Sequence, residues 1–203
     1  MNAELIFIYD SHCPWSYVTT PLVEEIAKAF PQMKLNLWHA GYFQGDQTVA
    51  QALAKNVSLE SDKQFAPAYT QPMPFEPDST MAANLTAWAS GKASHQLLAL
   101  LKAIQKAHFE DGEPMSTKEE LTDVCQSLKL SPPNKVFKSD EFSRDAEFIM
   151  QDIEDIQEVM GTESIPALLL AFDDNLVLLN HNYYLKSPKA IVDAVKLELK
   201  NSH

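Results

Sequence analysis

The chain has 203 residues, which fits one domain or one domain with a large insertion, and 45% of them are hydrophobic. Its net charge of −12 argues against nucleic acid and anionic membranes as partners, because both bind clustered lysine and arginine. Two cysteines do not make a disulfide scaffold, and no apolar run approaches the roughly 20 residues that span a bilayer. The N-terminus has no features of a signal peptide, so we expect a cytoplasmic protein.

The first part of the chain predicts a β-α-β unit. Glu4–Asp10 is an apolar, β-branched and aromatic run, typical of a buried strand. Pro14–Phe30 carries apolar residues at helical spacing, and Met33–Ala40 alternates as a second strand does. Gly41 and Gly45 mark the exit loop. A right-handed crossover would pair the two strands in parallel.

From residue 46 to residue 160 the strand signal nearly vanishes and the pattern predicts helices. Residues 71–77 are expected to form a loop, because three prolines at alternate positions exclude a helix and a central strand. Gly161 is placed to end the last of these helices. The predicted helices are Gln47–Asn56, Ser61–Tyr69, Ser79–Lys92, Ser94–Phe109, residues 117–130 with a capping box at the start, and Asp140–Met160.

The chain returns to strands after Gly161. Ala167–Phe172 and Leu176–Leu179 predict a β-hairpin, and Ser187 caps a last helix that runs to about Leu199. The order is therefore β-α-β, helices, β-β-α, which indicates an α/β fold. We expect residues 1–45 and 161–203 to form one core and residues 46–160 to form a helical insertion subdomain that packs on it.

The first strand ends in Cys13-Pro14-Trp15-Ser16. A thiol between a strand and the first turn of a helix lies where backbone N–H groups point outward and the helix dipole is positive, which favours the thiolate. Pro14 suits the first helical turn because its missing N–H has no partner there. The local pattern therefore predicts an activated Cys13.

This turn resembles the active site of the thioredoxin superfamily, specifically its DsbA-like branch. Gly161–Ala167 and the strand after it resemble the segment that carries the superfamily's cis-proline. The subgroup it is most similar to is the cytoplasmic one that includes FrnE-like proteins and predicted protein-disulfide isomerases. That subgroup usually has Cys-Pro-Trp-Cys, whereas this chain has Ser16 at the second cysteine position.

The resemblance implies a thioredoxin-like fold and a monothiol thiol–disulfide oxidoreductase. Cys13 would attack disulfides, and Ser16 would donate a hydrogen bond to its thiolate but could not resolve a mixed disulfide. An external thiol, most naturally glutathione, would then act as co-substrate, and no bound cofactor is expected. The expected partner is a disulfide-containing protein or a small thiol compound.

Further residues would contact the substrate if the resemblance holds. Ile165 and Pro166 would lie opposite Cys13 and pair with an extended substrate. His12, Pro14 and Trp15 would border the same site. The structural alternatives are a His12 that points away and a trans Pro166.

The remaining cysteine and histidines point to no second site. Cys125 lies among apolar residues of a predicted helix and is expected to be packed in the core. The histidines His95, His108 and His181 are far apart in sequence and lack partners at ligand spacing, so no metal site is predicted.

Two other functions stay open. The first is a glutathione-dependent transferase or isomerase, similar to the kappa-class transferases and 2-hydroxychromene-2-carboxylate isomerases, which share the fold and typically carry serine at the Cys13 position. Relatives of the kappa type form dimers, so a homodimer is one option. The second is a non-catalytic binding or redox-sensing protein.

Overall fold

The computed structural model describes residues 3–69 and 74–200 of the chain. A four-stranded sheet lies at its centre, made of β1 (Ala3–Tyr9), β2 (Lys34–His39), β3 (Ala167–Phe172) and β4 (Asn175–Leu178). The strand order is β2-β1-β3-β4. The pairing of β1 with β2 is parallel, and β3 pairs antiparallel with both β1 and β4. The predicted parallel crossover and the predicted hairpin are both confirmed.

Seven α-helices accompany the sheet in the described residues. They are α1 (Pro14–Ala29), α2 (Gln47–Glu60), α3 (Thr80–Lys92), α4 (Leu97–Phe109), α5 (Lys118–Ser127), α6 (Arg144–Met160) and α7 (Ile191–Lys200). Short 3-10 turns lie at Pro67–Tyr69, Ser94–Gln96, Asn134–Val136, His181–Tyr184 and Pro188–Ala190.

Alternate residues of β1 face two different cores, as the two-residue period of a strand requires. Leu5, Phe7 and Tyr9 belong to the larger core, which includes residues of α1, α4 and α7. Ile6 and Ile8 belong to a smaller core on the other face, to which α6 contributes. The sheet is therefore covered on both sides, and β1 is buried at its centre.

The third helix, α3, is buried on almost every side. It contacts α4, α6 and β2. Its residues are mostly small or apolar, and a helix that can pack all round need not carry a polar stripe. Asn84 is fully buried there, and its amide donates to the carbonyl groups of Lys138 and Glu141.

The predicted helix at Ser61–Tyr69 is wrong. Helix α2 instead continues to Glu60, because Val57 is fully buried and extends its apolar face. The chain then leaves helical geometry at Ser61, whose hydroxyl donates to the Val57 carbonyl. Pro67 also disfavours a helix there, since it lacks an N–H and restricts the residue before it.

Several helix ends follow their sequence signals. Thr117 and Glu120 form the predicted capping box of α5. Gly161 ends α6 with a φ of +68°, in the left-handed region that glycine adopts without strain. Within the predicted loop 71–77, residues 71–73 lie outside the described residues, and residues 74–77 contain no helix or strand.

Candidate active site

Cys13 lies at the junction of β1 and α1, as its sequence context predicts. It is the N-cap residue of α1, and Pro14 occupies the first helical turn. The Cys13 N–H donates to the Asp10 carbonyl at 3.1 Å, and its carbonyl accepts from the Tyr17 N–H at 3.0 Å. The residue is only 2% exposed, yet it lines a cleft.

The cleft beside Cys13 has a volume of about 370 Å³ and mostly apolar walls. We call it the cysteine cleft. Helix α2 forms one wall, the residues after β2 form another, and Ile165 reaches in from the segment before β3. Its lining residues are Cys13, Trp15, Tyr42, Phe43, Gln44, Asp46, Val49, Leu53 and Ile165.

The predicted substrate-binding residues divide into two groups. Trp15 and Ile165 line the cysteine cleft together with Cys13. The Ile165–Pro166 peptide bond is cis. Pro14 and Pro166 are buried and do not line the cleft.

Hydrogen bonding by Ser16, through its hydroxyl and its backbone N–H, and by the backbone N–H of Trp15 acts to lower the pKa of the Cys13 thiol. The Ser16 oxygen also accepts from the Asp10 N–H at 3.2 Å, which leaves the hydroxyl hydrogen for the sulfur. Ser16 is fully buried, so it is part of the site rather than a surface residue of the helix.

The sequence pattern predicts a lowered pKa for the Cys13 thiol, whereas burial in the folded protein raises this pKa. Burial raises the pKa of the Cys13 thiol to about 11, the Asp10 carboxylate adds to the rise, and the donors of Ser16 and Trp15 oppose it. A thiolate loses most of its hydration at 2% exposure, and that cost outweighs the helix N-terminus and the three donors. Burial therefore favours the neutral thiol of Cys13 over its thiolate.

Asp10 organises the turn, a role that sequence analysis did not assign. Its side chain is fully buried, and its two oxygens together accept four hydrogen bonds. The donors are the backbone N–H groups of His12 (2.8 Å), Tyr42 (2.6 Å) and Phe43 (3.2 Å) and the hydroxyl of Ser79 (2.7 Å). Only the bond to His12 has a local signal, since aspartate commonly accepts from the N–H two residues later.

His12 points away from the cleft, contrary to the expected contact with substrate. The ring is fully buried, its Nε2 lies 2.9 Å from the Pro114 carbonyl, and its Nδ1 lies 2.9 Å from the Ser11 hydroxyl. Its centroid is 4.1 Å from that of His108, which is also fully buried. Burial lowers the pKa of both rings, so the pair is neutral and acts as packing between the turn and α4.

A third buried histidine, His39, holds the end of β2 against the turn. Its Nε2 lies 2.8 Å from the Ser11 hydroxyl, and its Nδ1 lies 3.1 Å from the Gly41 N–H. Burial lowers the pKa of His39 to about 4, although Asp10 acts in the opposite direction. The Ser11 N–H also points at Nε2, at 3.1 Å, so both ring nitrogens face backbone N–H donors, which a protonated ring could not accept.

Tyr42 connects this network to the segment before Ile165. Its hydroxyl donates to the Glu163 carbonyl at 3.2 Å and accepts from the Gln157 amide at 3.3 Å. The same amide donates to the Glu163 carbonyl at 3.1 Å. Since the Tyr42 N–H is bonded to Asp10, one residue links the two chain segments that border the cleft. Its sequence context gave no signal for this role.

Cys125 is packed in the core of the helical region, as expected. It is 1% exposed, and both cysteines are free. Among residues 3–69 and 74–200, no group of histidine, cysteine and carboxylate side chains is placed to hold a metal ion. None of the helices in those ranges combines the length and apolar character that crossing a bilayer requires.

The family model of the DSBA-like thioredoxin domain matches residues 4–162. The chain belongs to the DsbA-like thioredoxin family. Its four-stranded mixed sheet with a helical insertion is the fold of that family. The resemblance carried by Cys13 and the Ile165–Pro166 segment is thereby confirmed at the level of family and fold.

Solved structures share this DsbA-like fold at low sequence identity. The cytosolic disulfide reductase DsbM from Pseudomonas aeruginosa has a TM-score of 0.82 at 19% identity, over 97% of this chain and 98% of that chain. The same reductase with GSH has a TM-score of 0.80 at 18% identity, over 97% and 99%. A 2-hydroxychromene-2-carboxylate isomerase has 0.59 at 13% identity, over 98% and 96%. Among curated protein sequences, none matches the chain.

Proposed function

We propose that this protein is a cytoplasmic monothiol thiol–disulfide oxidoreductase, with Cys13 as nucleophile and glutathione as the second thiol. The observation that carries the proposal is a thiol at a helix N-terminus and on a cleft, and hydrogen bonding by Ser16 and Trp15 acts to lower its pKa. Membership of the DsbA-like family supports the same chemistry. The likeness to a reductase named cytosolic supports the compartment.

The reaction proceeds by two thiol–disulfide exchanges. Cys13 attacks a mixed disulfide between a protein and glutathione, the S–S bond breaks, and the protein thiolate leaves and takes a proton from solvent. Cys13 now carries glutathione. A second glutathione attacks the glutathione sulfur, which releases glutathione disulfide and returns Cys13. Protein mixed disulfide plus glutathione gives protein thiol plus glutathione disulfide, so atoms and electrons balance.

The second glutathione is needed because Ser16 has no thiol that could resolve the intermediate. Ser16 instead supplies a hydroxyl donor to the sulfur. Such a donor stabilises Cys13 both as the attacking thiolate and as the leaving group of the second exchange. The structure of DsbM with GSH supports glutathione as this external thiol.

The pH dependence of adduct formation tests the proposal. The variant Cys125→Ala is incubated with glutathione disulfide over a pH series, and intact mass counts the adducts. We expect one glutathione per chain, a rate that rises with pH towards about 11 as the Cys13 proton is lost, and release by reduced glutathione. A chain that gains no glutathione at any pH would remove the proposal and leave a non-catalytic or binding role.

The neutral Cys13 thiol favours a second candidate, a glutathione-dependent transferase or isomerase. An S–H group beside a cleft can donate to the thiolate of a bound glutathione, as a serine hydroxyl does at that position in the kappa class. The structural likeness to a 2-hydroxychromene-2-carboxylate isomerase is compatible with it. The substitution Cys13→Ser separates the two, since it abolishes disulfide exchange and preserves a donor to bound glutathione.

A further inference from the structure

A second cleft, of about 400 Å³, adjoins the cysteine cleft at Trp15. Trp15 lines both, and α2 forms a wall of both, with Val49 in the first and Glu60 in the second. Eleven residues of helix separate those positions, which is about 16 Å at 1.5 Å per residue. That length matches about five residues of an extended chain.

A third groove, of about 970 Å³, adjoins the cysteine cleft on its other side. Tyr42 and Gln44 line both. The third groove runs along α6 and is bordered by three carboxylates, those of Glu154, Glu158 and Glu163. The three clefts adjoin through these shared residues, and we call them together the surface depression; it is larger than a single small thiol needs.

All the charged side chains that line this depression are acidic. They belong to Asp46, Glu60, Glu154, Glu158 and Glu163. Among the described residues that line the three parts, none is lysine, arginine or histidine. None of the five carboxylates forms an ion pair with a described lysine or arginine, so their charge faces solvent unbalanced.

We propose that the disulfide substrate is an extended polypeptide segment with lysine or arginine close to its cysteine. The proposal rests on the proposed function, because the substrate must present its sulfur to Cys13. The aliphatic stems of basic side chains would pack on Trp15 and Val49, while their charged ends reach the carboxylates of Glu60 and Glu163. Glutathione disulfide, with a net negative charge, would be repelled and would react more slowly than such a peptide.

Three synthetic peptides test this preference. Each has one cysteine in a mixed disulfide with glutathione, and the flanking residues are lysine, glutamine or glutamate. We expect the lysine peptide to exceed the glutamate peptide about tenfold in kcat/KM at low ionic strength, with glutamine between them. The ratio should fall at least about threefold at high salt, where the screening length is only a few ångströms.

A charge-matched pair of variants locates the effect. Glu60→Gln, Glu158→Gln and Glu163→Gln are combined in one protein, and Glu119→Gln, Asp123→Asn and Asp174→Asn, which lie outside the depression, are combined in the other. We expect the first protein to lose most of the preference for lysine and the second to keep it. Equal rates for all three peptides, or the same loss in both proteins, would overturn the proposed preference and leave the oxidoreductase intact. Release of no peptide thiol at all would instead refute the proposed function.

Discussion

The two cysteines lie in different regions of the molecule and have different surroundings. Cys13, in the active-site turn, and Cys125, in the helical region, are 2% and 1% exposed. Burial raises the pKa of both to about 11. Only Cys13 has donors that oppose this rise, a helix N-terminus and a cleft. The surroundings of Cys13, rather than its pKa, are therefore the reason for proposing it as the nucleophile and Cys125 as a packed residue.

The largest expected difference between the two regions is in activity. Cys13→Ser should lower the release of peptide thiol from a glutathionylated peptide by at least about a thousandfold, because no other thiol borders the cleft. Cys125→Ala should leave kcat/KM within about twofold, since it removes a packed side chain from α5 and touches nothing in the site. A loss of activity in Cys125→Ala with unchanged folding would contradict the division into a reactive and a packed cysteine.

The next contrast concerns two aspartates. Asp10→Ala should lower the free energy of unfolding by about 3–5 kcal/mol, because three buried N–H groups and a hydroxyl lose their acceptor. Asp123→Ala, at an exposed position of α5, should change it by less than about 0.5 kcal/mol. Urea unfolding followed by circular dichroism measures both, and similar losses in the two variants would contradict the organising role of Asp10.

This aspartate also shows where sequence analysis ends. The strand before Asp10 and the helix after Cys13 were predictable, because a buried strand and a proline at the helix start are local signals. The donors to Asp10 from Tyr42, Phe43 and Ser79 come from 32 to 69 residues away, and no local pattern encodes them. The sequence thus predicts the strands and helices around the site, but it does not predict the long-range hydrogen bonds that shape the site.

The effect of burial on the Cys13 thiol could not be predicted for a related reason. The helix dipole and the hydroxyl of Ser16 can be inferred from neighbouring residues in the sequence. Burial depends on α2, the loop after β2 and the Ile165 segment, which meet at the thiol only in the folded chain. Loss of water caused by these distant segments raises the pKa of Cys13 more than its hydrogen-bonding neighbours Ser16 and Trp15 lower it. The inward direction of His12 has the same origin, since its partner Pro114 lies 102 residues away.

Two histidines give a smaller contrast, in the pH dependence of stability. His39 has a pKa of about 4 in the folded protein, below its ordinary value of about 6.5. The neutral ring therefore contributes to the free energy of unfolding above about pH 6.5, and this contribution is lost as the pH falls towards 4. Between about pH 7.5 and about pH 5, protonation of His39 should lower the free energy of unfolding by about 2 kcal/mol. Urea midpoints of His39→Gln should therefore change less with pH than those of the parent.

The matched variant for His39 is His95→Gln, at an exposed position in the helical region. The urea midpoint of His95→Gln should change with pH as much as that of the parent protein. Because His12 and His108 are also buried and neutral, some acid sensitivity should remain in His39→Gln. If the urea midpoint of His39→Gln changed with pH as much as that of the parent, the His39 ring would be protonated or solvated in the native state.

The last contrast is between two glycines, where alanine should lower the free energy of unfolding at one position and raise it at the other. Gly41 follows β2 with a φ of +64°, and a Cβ there would lie 2.7 Å from Cε of Met150 and 2.8 Å from Cζ of Phe142. Gly41→Ala should therefore lower the free energy of unfolding by about 1–3 kcal/mol, through strain and overpacking against α6. Gly91 lies in α3 with no atom within 4 Å of such a Cβ, so Gly91→Ala should raise it by about 0.5–1 kcal/mol.

Urea unfolding of both alanine variants measures the change in the free energy of unfolding. The peptide assay adds kcat/KM as a second measurement for Gly41→Ala. Tyr42, the next residue, borders the cleft and bonds to Asp10, so a displacement at Gly41 should also lower kcat/KM. Gly91→Ala should leave kcat/KM unchanged, because α3 contributes no residue to the cleft walls. A stable and fully active Gly41→Ala would mean that α6 can move away from the loop without disturbing the cleft. The link from Tyr42 through Glu163 to Ile165 would then not be rigid.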